Sequence, residues 1–180
     1  MLSEIEQNDA NKLNLTAKQY IIEKENQTFF NEIDLNHPPL FSSVEVETIN
    51  ACNGMCSFCP VNQASDPRKH IMMKHDLFEK IITELKVLNY SDRIGLFSNN
   101  EPFLDKRIIY FVKYAREYLP HVYLYLYTNG SLLTLQKHSE IMQYLDYIVI
   151  DNYDDIGKLQ PEIYNIIKLC EQNEQLNQKQ

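Results

Sequence analysis

Strand-forming and helix-forming segments alternate four times along this sequence, which predicts an α/β fold of parallel strands joined by right-handed crossovers. Two further observations support that class. The segments Tyr123–Tyr127 and Tyr147–Ile150 carry little polar alternation, as expected of strands covered on both faces. Every motif with chemical potential also directly follows a strand, and parallel α/β folds gather their chemistry at strand carboxyl ends.

The elements follow in order. Asn11 to Phe30 reads as a helix, with Leu15, Ile22 and Phe29 at roughly helical spacing, and His37-Pro38-Pro39 ends regular structure. Residues 1–40 are thus expected to form a helical extension, 41–170 the core, and 171–180 a polar, disordered tail. Val44 to Ile49 alternates apolar and polar and reads as the first strand. Lys74 to Leu88 is an amphipathic helix with Leu77, Phe78, Ile81, Ile82, Leu85 and Leu88 on one face. Arg93 to Phe97 is a short strand, and Asp105 to Tyr118 a helix ended by Leu119-Pro120. Val122 to Tyr127 is a strand, Leu132 to Leu145 a helix, Asp146 to Ile150 the fourth strand, and a last helix follows Pro161.

Composition narrows the function classes. The 180 residues are 44% apolar, enough for one domain with a core. A net charge of −8 argues against broad nucleic-acid binding, which needs a Lys/Arg surplus. No apolar run approaches the ~20 residues of a membrane span, and MLSEIEQNDANKLN lacks the basic and apolar regions of a signal peptide. A soluble, cytoplasmic protein is the expectation.

Three of the four cysteines fall within Cys52-Asn53-Gly54-Met55-Cys56-Ser57-Phe58-Cys59, directly after the first strand. A CxxxCxxC spacing can hold three irons of a cubane cluster, whereas an ordinary 4Fe-4S cluster takes four cysteines. The remaining Cys170 lies far along the chain on a helix and reads as a small buried hydrophobe. The loop therefore points to a cluster with one open iron. Asn53 and Gly54 suit a tight wrap that lets the thiolates converge. A structural zinc completed by His70 or His75 as Cys3His is the rival reading, and chance clustering a third.

The octet, with an aromatic residue before its third cysteine, resembles the signature of the radical S-adenosylmethionine (radical SAM) enzymes. That resemblance spans roughly Val44 to Asn152. It implies a partial (β/α) barrel, of which about four βα units are present here against about six in most members and eight in the closed form. The chain thus reads as a shortened member or a fragment. The resemblance further implies a 4Fe-4S cluster on Cys52, Cys56 and Cys59. S-adenosyl-L-methionine would chelate the fourth iron and be cleaved reductively to a 5′-deoxyadenosyl radical that abstracts hydrogen from a substrate. Phe58 would pack beside the cluster or the adenine.

Asn99-Asn100-Glu101-Pro102 resembles the family's GGE motif, which grips the amino group of the methionine moiety. Asparagine replaces both glycines, and it is the next residue to tolerate left-handed backbone. An ordinary helix start, with Glu101 at the positive dipole end and Pro102 in the first turn, is the plain alternative. Thr128-Asn129-Gly130 resembles the TNG that often ends the third strand, placing Asn129 near the cofactor; a simple turn explains it equally. Asn152, beside Asp151, stands where many members contact the ribose, or merely in a polar loop.

Tyr123, Tyr125 and Tyr127 share one strand face and are expected to pack under a helix. Arg68, Lys69, His70, Lys74 and His75 form a basic stretch that could attract an acidic low-potential donor such as flavodoxin or ferredoxin, or be a solvated helix start. The Asn-Asn-Glu-Pro wording is most similar to members bearing a cysteine-rich SPASM domain, many of which modify peptides, so the substrate is expected to be a small molecule or peptide. Two functions remain open: a radical SAM enzyme, or a truncated, non-catalytic metal-binding module.

Overall fold

In the computed structural model, the described residues are 41–153 and 158–177. The expected helix over Asn11 to Phe30 lies outside them. Among the described residues, four strands, β1 (Ser43–Glu45), β2 (Arg93–Gly95), β3 (Tyr123–Thr128) and β4 (Tyr147–Ile150), form one sheet in the order β1-β2-β3-β4. All three pairings are parallel. The helices are α1 (His75–Val87), α2 (Ile108–Tyr118), α3 (Leu135–Ile141) and α4 (Pro161–Asn177), with a 3-10 turn at Pro102–Leu104. Strand order equal to sequence order, with helical crossovers between parallel neighbours, is the winding of a (β/α) barrel and not of a doubly wound sheet. This is an α/β partial barrel.

The core explains the winding. Phe78, Ile82 and Leu85 of α1, and Ile108, Phe111, Val112 and Ala115 of α2, are buried in one cluster with Ile94, Leu96, Leu124 and Leu126 of the sheet. The Phe78 and Phe111 rings lie 4.4 Å apart, a tilted aromatic pair between two helices. The buried stripe of α1 is narrower than its sequence suggests, since Leu77 and Leu88 are about half exposed. Arg116 of α2 closes the amino ends of the strands, donating to Tyr144 O (2.9 Å), Val122 O (2.9 Å) and Asp146 Oδ2 (2.5 Å).

Several boundaries differ from expectation for identifiable reasons. β1 stops at Glu45, although Val46 N still donates to Gly95 O at 2.8 Å. The chain then pairs Ile49 with Met72 in an antiparallel bridge, drawing the segment after the cysteines back beside their approach. Helix α2 starts at Ile108 because Asp105 accepts the Arg107 N–H at 3.0 Å and forms its own turn. Helix α3 starts at Leu135 because Thr134 caps it, accepting from Lys137 N. Helix α4 continues to Asn177, so this part of the polar tail is helical. Among its residues up to 172, the buried ones end with Ile163 and Ile166; Cys170 is exposed, contrary to the expectation of a buried hydrophobe, because there the helix has passed the core layer it packs on.

The tyrosine stripe also departs from expectation. Leu124 and Leu126 take the helix-facing side of β3, so Tyr123, Tyr125 and Tyr127 occupy the other face, outside the core cluster. Tyr123 and Tyr127 remain 43% and 38% exposed. Tyr125 and Tyr127 pack on Phe97, whose ring is 5.3 Å from Tyr125 and 4.5 Å from Tyr127; Tyr123 packs on Tyr125, whose hydroxyl meets Ser43 Oγ at 3.0 Å. Among the described residues, helices cover one face of the sheet. No helix among the described residues is long and apolar enough to cross a membrane.

Candidate functional site

The carboxyl ends of all four strands open onto two adjoining cavities. The loop after β1 carries the cysteines, the loop after β2 carries Asn99-Asn100-Glu101, the turn after β3 carries Asn129, and β4 leads into Asp151-Asn152-Tyr153. The smaller cavity, about 240 Å³, is lined by Cys52, Cys56, Cys59, Phe58, Asn99, Asn100, Glu101 and Asn129, among others. The larger, about 660 Å³, shares Cys56, Phe58, Asn129 and Tyr153 with it and adds Asn152 and Lys158, among others. All nine residues singled out in the sequence therefore border one continuous space.

The cysteine loop is held by its own polar groups. Cys59 N donates to Cys56 O at 3.1 Å, and Gly54 N donates to Cys52 Sγ at 3.3 Å. Asn62, which sequence reasoning passed over, gathers the loop: its Nδ2 donates to Cys56 O (3.2 Å) and Cys59 O (2.9 Å), while Oδ1 accepts from Ala64 N and Ser65 N. An asparagine turning back on its neighbours is an Asx-type turn, and its place just after Pro60 was the available signal. Gly54 sits tightly between two thiols. A Cβ there would stand 3.3 Å from Cys52 Sγ and 3.6 Å from Cys56 Sγ, so the two thiols flank it closely.

This donor set fits a 4Fe-4S cluster, as its chemistry indicates. Burial raises the Cys52 thiol above its ordinary pKa, and the negative charge of Glu101, Cys59 and Cys56 adds to the rise, against the Gly54 N–H. Crowded thiols of this kind become thiolates when a cation replaces their protons. Among the described residues no three His, Cys, Asp or Glu side chains already converge on a single ion position. A cubane asks for less, one thiolate per iron. Among the described residues no histidine lines the cavity: the His75 ring packs on Phe111 at 5.3 Å and its Nδ1 meets Arg107 at 3.3 Å, and His70 is exposed. The donors of a Cys3His zinc site are not assembled there. Asn100 supplies a further fit, since its Nδ2 is buried without a partner among the described residues.

Glu101 is the electrostatic centre. It is 1% exposed, and burial pushes its carboxyl above the usual range. Three donors oppose that rise: Phe103 N (3.1 Å) and Thr128 Oγ1 (2.7 Å) on Oε1, and Asn129 N (2.8 Å) on Oε2. Its own N–H donates to Ala51 O at 2.9 Å, joining this loop to the cysteine loop. Thr128 stood inside the TNG motif, but nothing in the sequence announced that its hydroxyl would reach Glu101. Gly130, at φ +74°, must be glycine: a Cβ would approach Ile150 Cγ2 to 2.8 Å and Ile163 Cδ1 to 3.0 Å.

The outer residues divide. Phe58 is 71% exposed and meets Tyr153 edge-on at 5.4 Å, leaving an open aromatic face over the larger cavity. Arg68 turns inward from the basic stretch. It makes a forked pair with Asp66 (2.9–3.1 Å) and donates to Asn99 O at 3.1 Å, tethering the loop after the cysteines to the loop after β2. Lys69, His70 and Lys74 stay exposed.

Comparison with known proteins bears on this arrangement. The model of the Radical SAM superfamily matches residues 46–153. S-adenosyl-L-methionine-dependent 2-deoxy-scyllo-inosamine dehydrogenase of Niallia circulans is 36% identical over 98 residues, 54% of this chain and 39% of that protein. The crystal structure of BtrN in complex with AdoMet and 2-DOIA is similar with a TM-score of 0.64 and 26% identity, covering 71% of this chain and 51% of BtrN. BtrN in an open conformation gives 0.57 and 28%, covering 67% and 55%. The chain spans about half the length, or less, of these relatives.

Proposed function

We propose that this chain, which belongs to the radical SAM superfamily, holds a 4Fe-4S cluster on Cys52, Cys56 and Cys59 and binds S-adenosylmethionine beside it for radical chemistry on a small molecule. The observation that carries this reading is one cavity lined by the three thiols and by the buried, multiply bonded Glu101. When bound, the pair of cofactors supplies a strong hydrogen-atom abstractor through one-electron cleavage of a carbon–sulfur bond.

The chain's own residues bind and orient. A carboxylate offers about four acceptor positions, and Glu101 has three filled, leaving one for the ammonium of the methionine moiety. Asn99 and Asn100 line the same wall. Phe58 and Tyr153 offer aromatic faces to an adenine, and Asn152 lies within the same cavity for the ribose. Phe97 and Tyr127 form a further wall of the thiol cavity, which shields it from water and continues into the half-exposed tyrosine face. Phenol rings with free edges suit a hydroxylated ring better than an extended peptide. That agrees with the relative whose name identifies it as a 2-deoxy-scyllo-inosamine dehydrogenase, so we favour a polyhydroxylated small molecule over a peptide. Exposed Lys69, His70 and Lys74 beside the cysteine loop suit an acidic low-potential donor such as flavodoxin or ferredoxin. Free thiols of this kind suit a reducing, cytoplasmic compartment.

Anaerobic reconstitution followed by dithionite and S-adenosylmethionine tests the reading, with release of methionine and 5′-deoxyadenosine expected. Cluster assembly with no cleavage product would overturn it.

A further inference from the structure

Three loops around the thiol cavity are tied into a closed triangle, and two asparagines make its third side. The loop after β2 is joined to the cysteine loop by Glu101 N donating to Ala51 O at 2.9 Å. The turn after β3 is joined to the loop after β2 by Asn129 N donating to Glu101 Oε2 at 2.8 Å. The third side runs from Asn129 Nδ2 to Asn53 Oδ1 at 2.9 Å, and on from Asn53 Nδ2 to Ser131 Oγ at 2.9 Å. Ser131 N returns to Asn129 Oδ1 at 2.9 Å, which fixes the orientation of that amide.

Asn129 thus holds Glu101 with its backbone and Asn53 with its side chain. Asn53 lies between Cys52 and Gly54, where the Gly54 N–H meets the Cys52 sulfur. A displacement of the cysteine loop is therefore passed to the donor that fixes one oxygen of Glu101, with no direct contact between Asn53 and that carboxylate.

We propose that Asn53 and Asn129 are positioning residues: their clasp fixes the Glu101 carboxylate relative to the cysteine loop, so the ammonium-binding group and the cluster-bearing segment are set as one unit. This rests on the cofactor reading given above. Asn129 acts here through Glu101 and Asn53 rather than as a ligand of the nucleotide. The clasp also accounts for an asparagine directly after the first cysteine, where the loop's tight turn alone would accept several small residues.

The test uses Asn53→Ala, Asn129→Ala and the double variant in two arms. In the cluster-free protein, amide exchange at Asn129 and Ser131 should quicken about tenfold in Asn53→Ala, one hydrogen bond's worth, with Leu124 and Leu126 unchanged. In the reconstituted protein, iron content should match wild type, while S-adenosylmethionine affinity, read from the change it causes in the reduced cluster's electron paramagnetic resonance spectrum, should fall about tenfold. The double variant should bind no more weakly than either single one, since both remove the same clasp. Should Asn53→Ala fail to take up iron, Ser131→Ala removes the Asn53 Nδ2–Ser131 Oγ half of the clasp from outside the cysteine loop, leaves Asn129 Nδ2–Asn53 Oδ1 in place, and should weaken binding in the same direction by a smaller factor. Unchanged exchange at Asn129, or fully additive affinity losses, overturns the clasp. Quickened exchange in a chain whose wild type never binds S-adenosylmethionine overturns the cofactor reading and leaves the clasp standing.

Discussion

Replacing Glu101 with glutamine changes one oxygen and one charge, and its cost can be worked from the geometry. Oε1 accepts from Phe103 N and Thr128 Oγ1, and Oε2 accepts from Asn129 N. The glutamine oxygen will take the Oε1 position and keep two bonds. Its NH2 then faces the Asn129 N–H, donor against donor. Hydrogen bonds to a charged group contribute about 1.5–3 kcal/mol, so the Asn129 bond is lost at roughly that cost within a site 1% exposed. Relief of burying a charge offsets part of it, and we expect net destabilisation of about 1–2 kcal/mol. Loss of the charge partner for the ammonium removes a further 1.5–3 kcal/mol or so from S-adenosylmethionine binding, about 10- to 150-fold in affinity. Urea unfolding of the cluster-free protein reads the first quantity, and titration of the reconstituted protein reads the second. Wild-type affinity in Glu101→Gln would refute the role given to this carboxylate.

Other substitutions test other parts of the structure. Cys56→Ala should abolish cluster assembly, measured as iron and sulfide per chain; a variant retaining a full cluster would remove Cys56 from the ligand set. Gly130→Ala should destabilise by about 2–4 kcal/mol in urea unfolding, combining a left-handed backbone with contacts to Ile150 and Ile163. Burial raises the Asp105 carboxyl, but bonds from Arg107 at 2.8–3.0 Å outweigh it and hold the pKa below its ordinary 3.8. A depressed folded pKa contributes stability that is present above the unfolded value and lost as pH falls through the folded one. Asp105→Asn should therefore cost about 2–3 kcal/mol at neutral pH, less than a fully buried pair because Arg107 is partly exposed, and the difference from wild type should shrink below about pH 3.8. A cost independent of pH would assign the loss to packing instead.

The strands and helices were legible because their periodicities are strong, and the motifs were legible because each follows a strand. What escaped depended on contacts between distant residues. Asp105 read as helix until its carboxylate proved to close the turn before α2. The alternation of β3 revealed two faces but not which one the helices cover. Cys170 follows Ile163 and Ile166 at helical spacing, yet only the packed layer reveals where burial stops. The cysteines stood out as a local pattern. Thr128, Ser131 and Arg68 did not, because their partners lie 27, 78 and 31 residues away.

The central claim is a three-thiolate cubane with one iron left for S-adenosylmethionine. Mössbauer spectra of protein reconstituted with isotopically enriched iron, taken with and without S-adenosylmethionine, test it most directly. The account predicts about four irons per chain, with one site alone shifting when S-adenosylmethionine is added. A spectrum in which no site moves, or a colourless protein carrying only tetrahedral zinc, would contradict it.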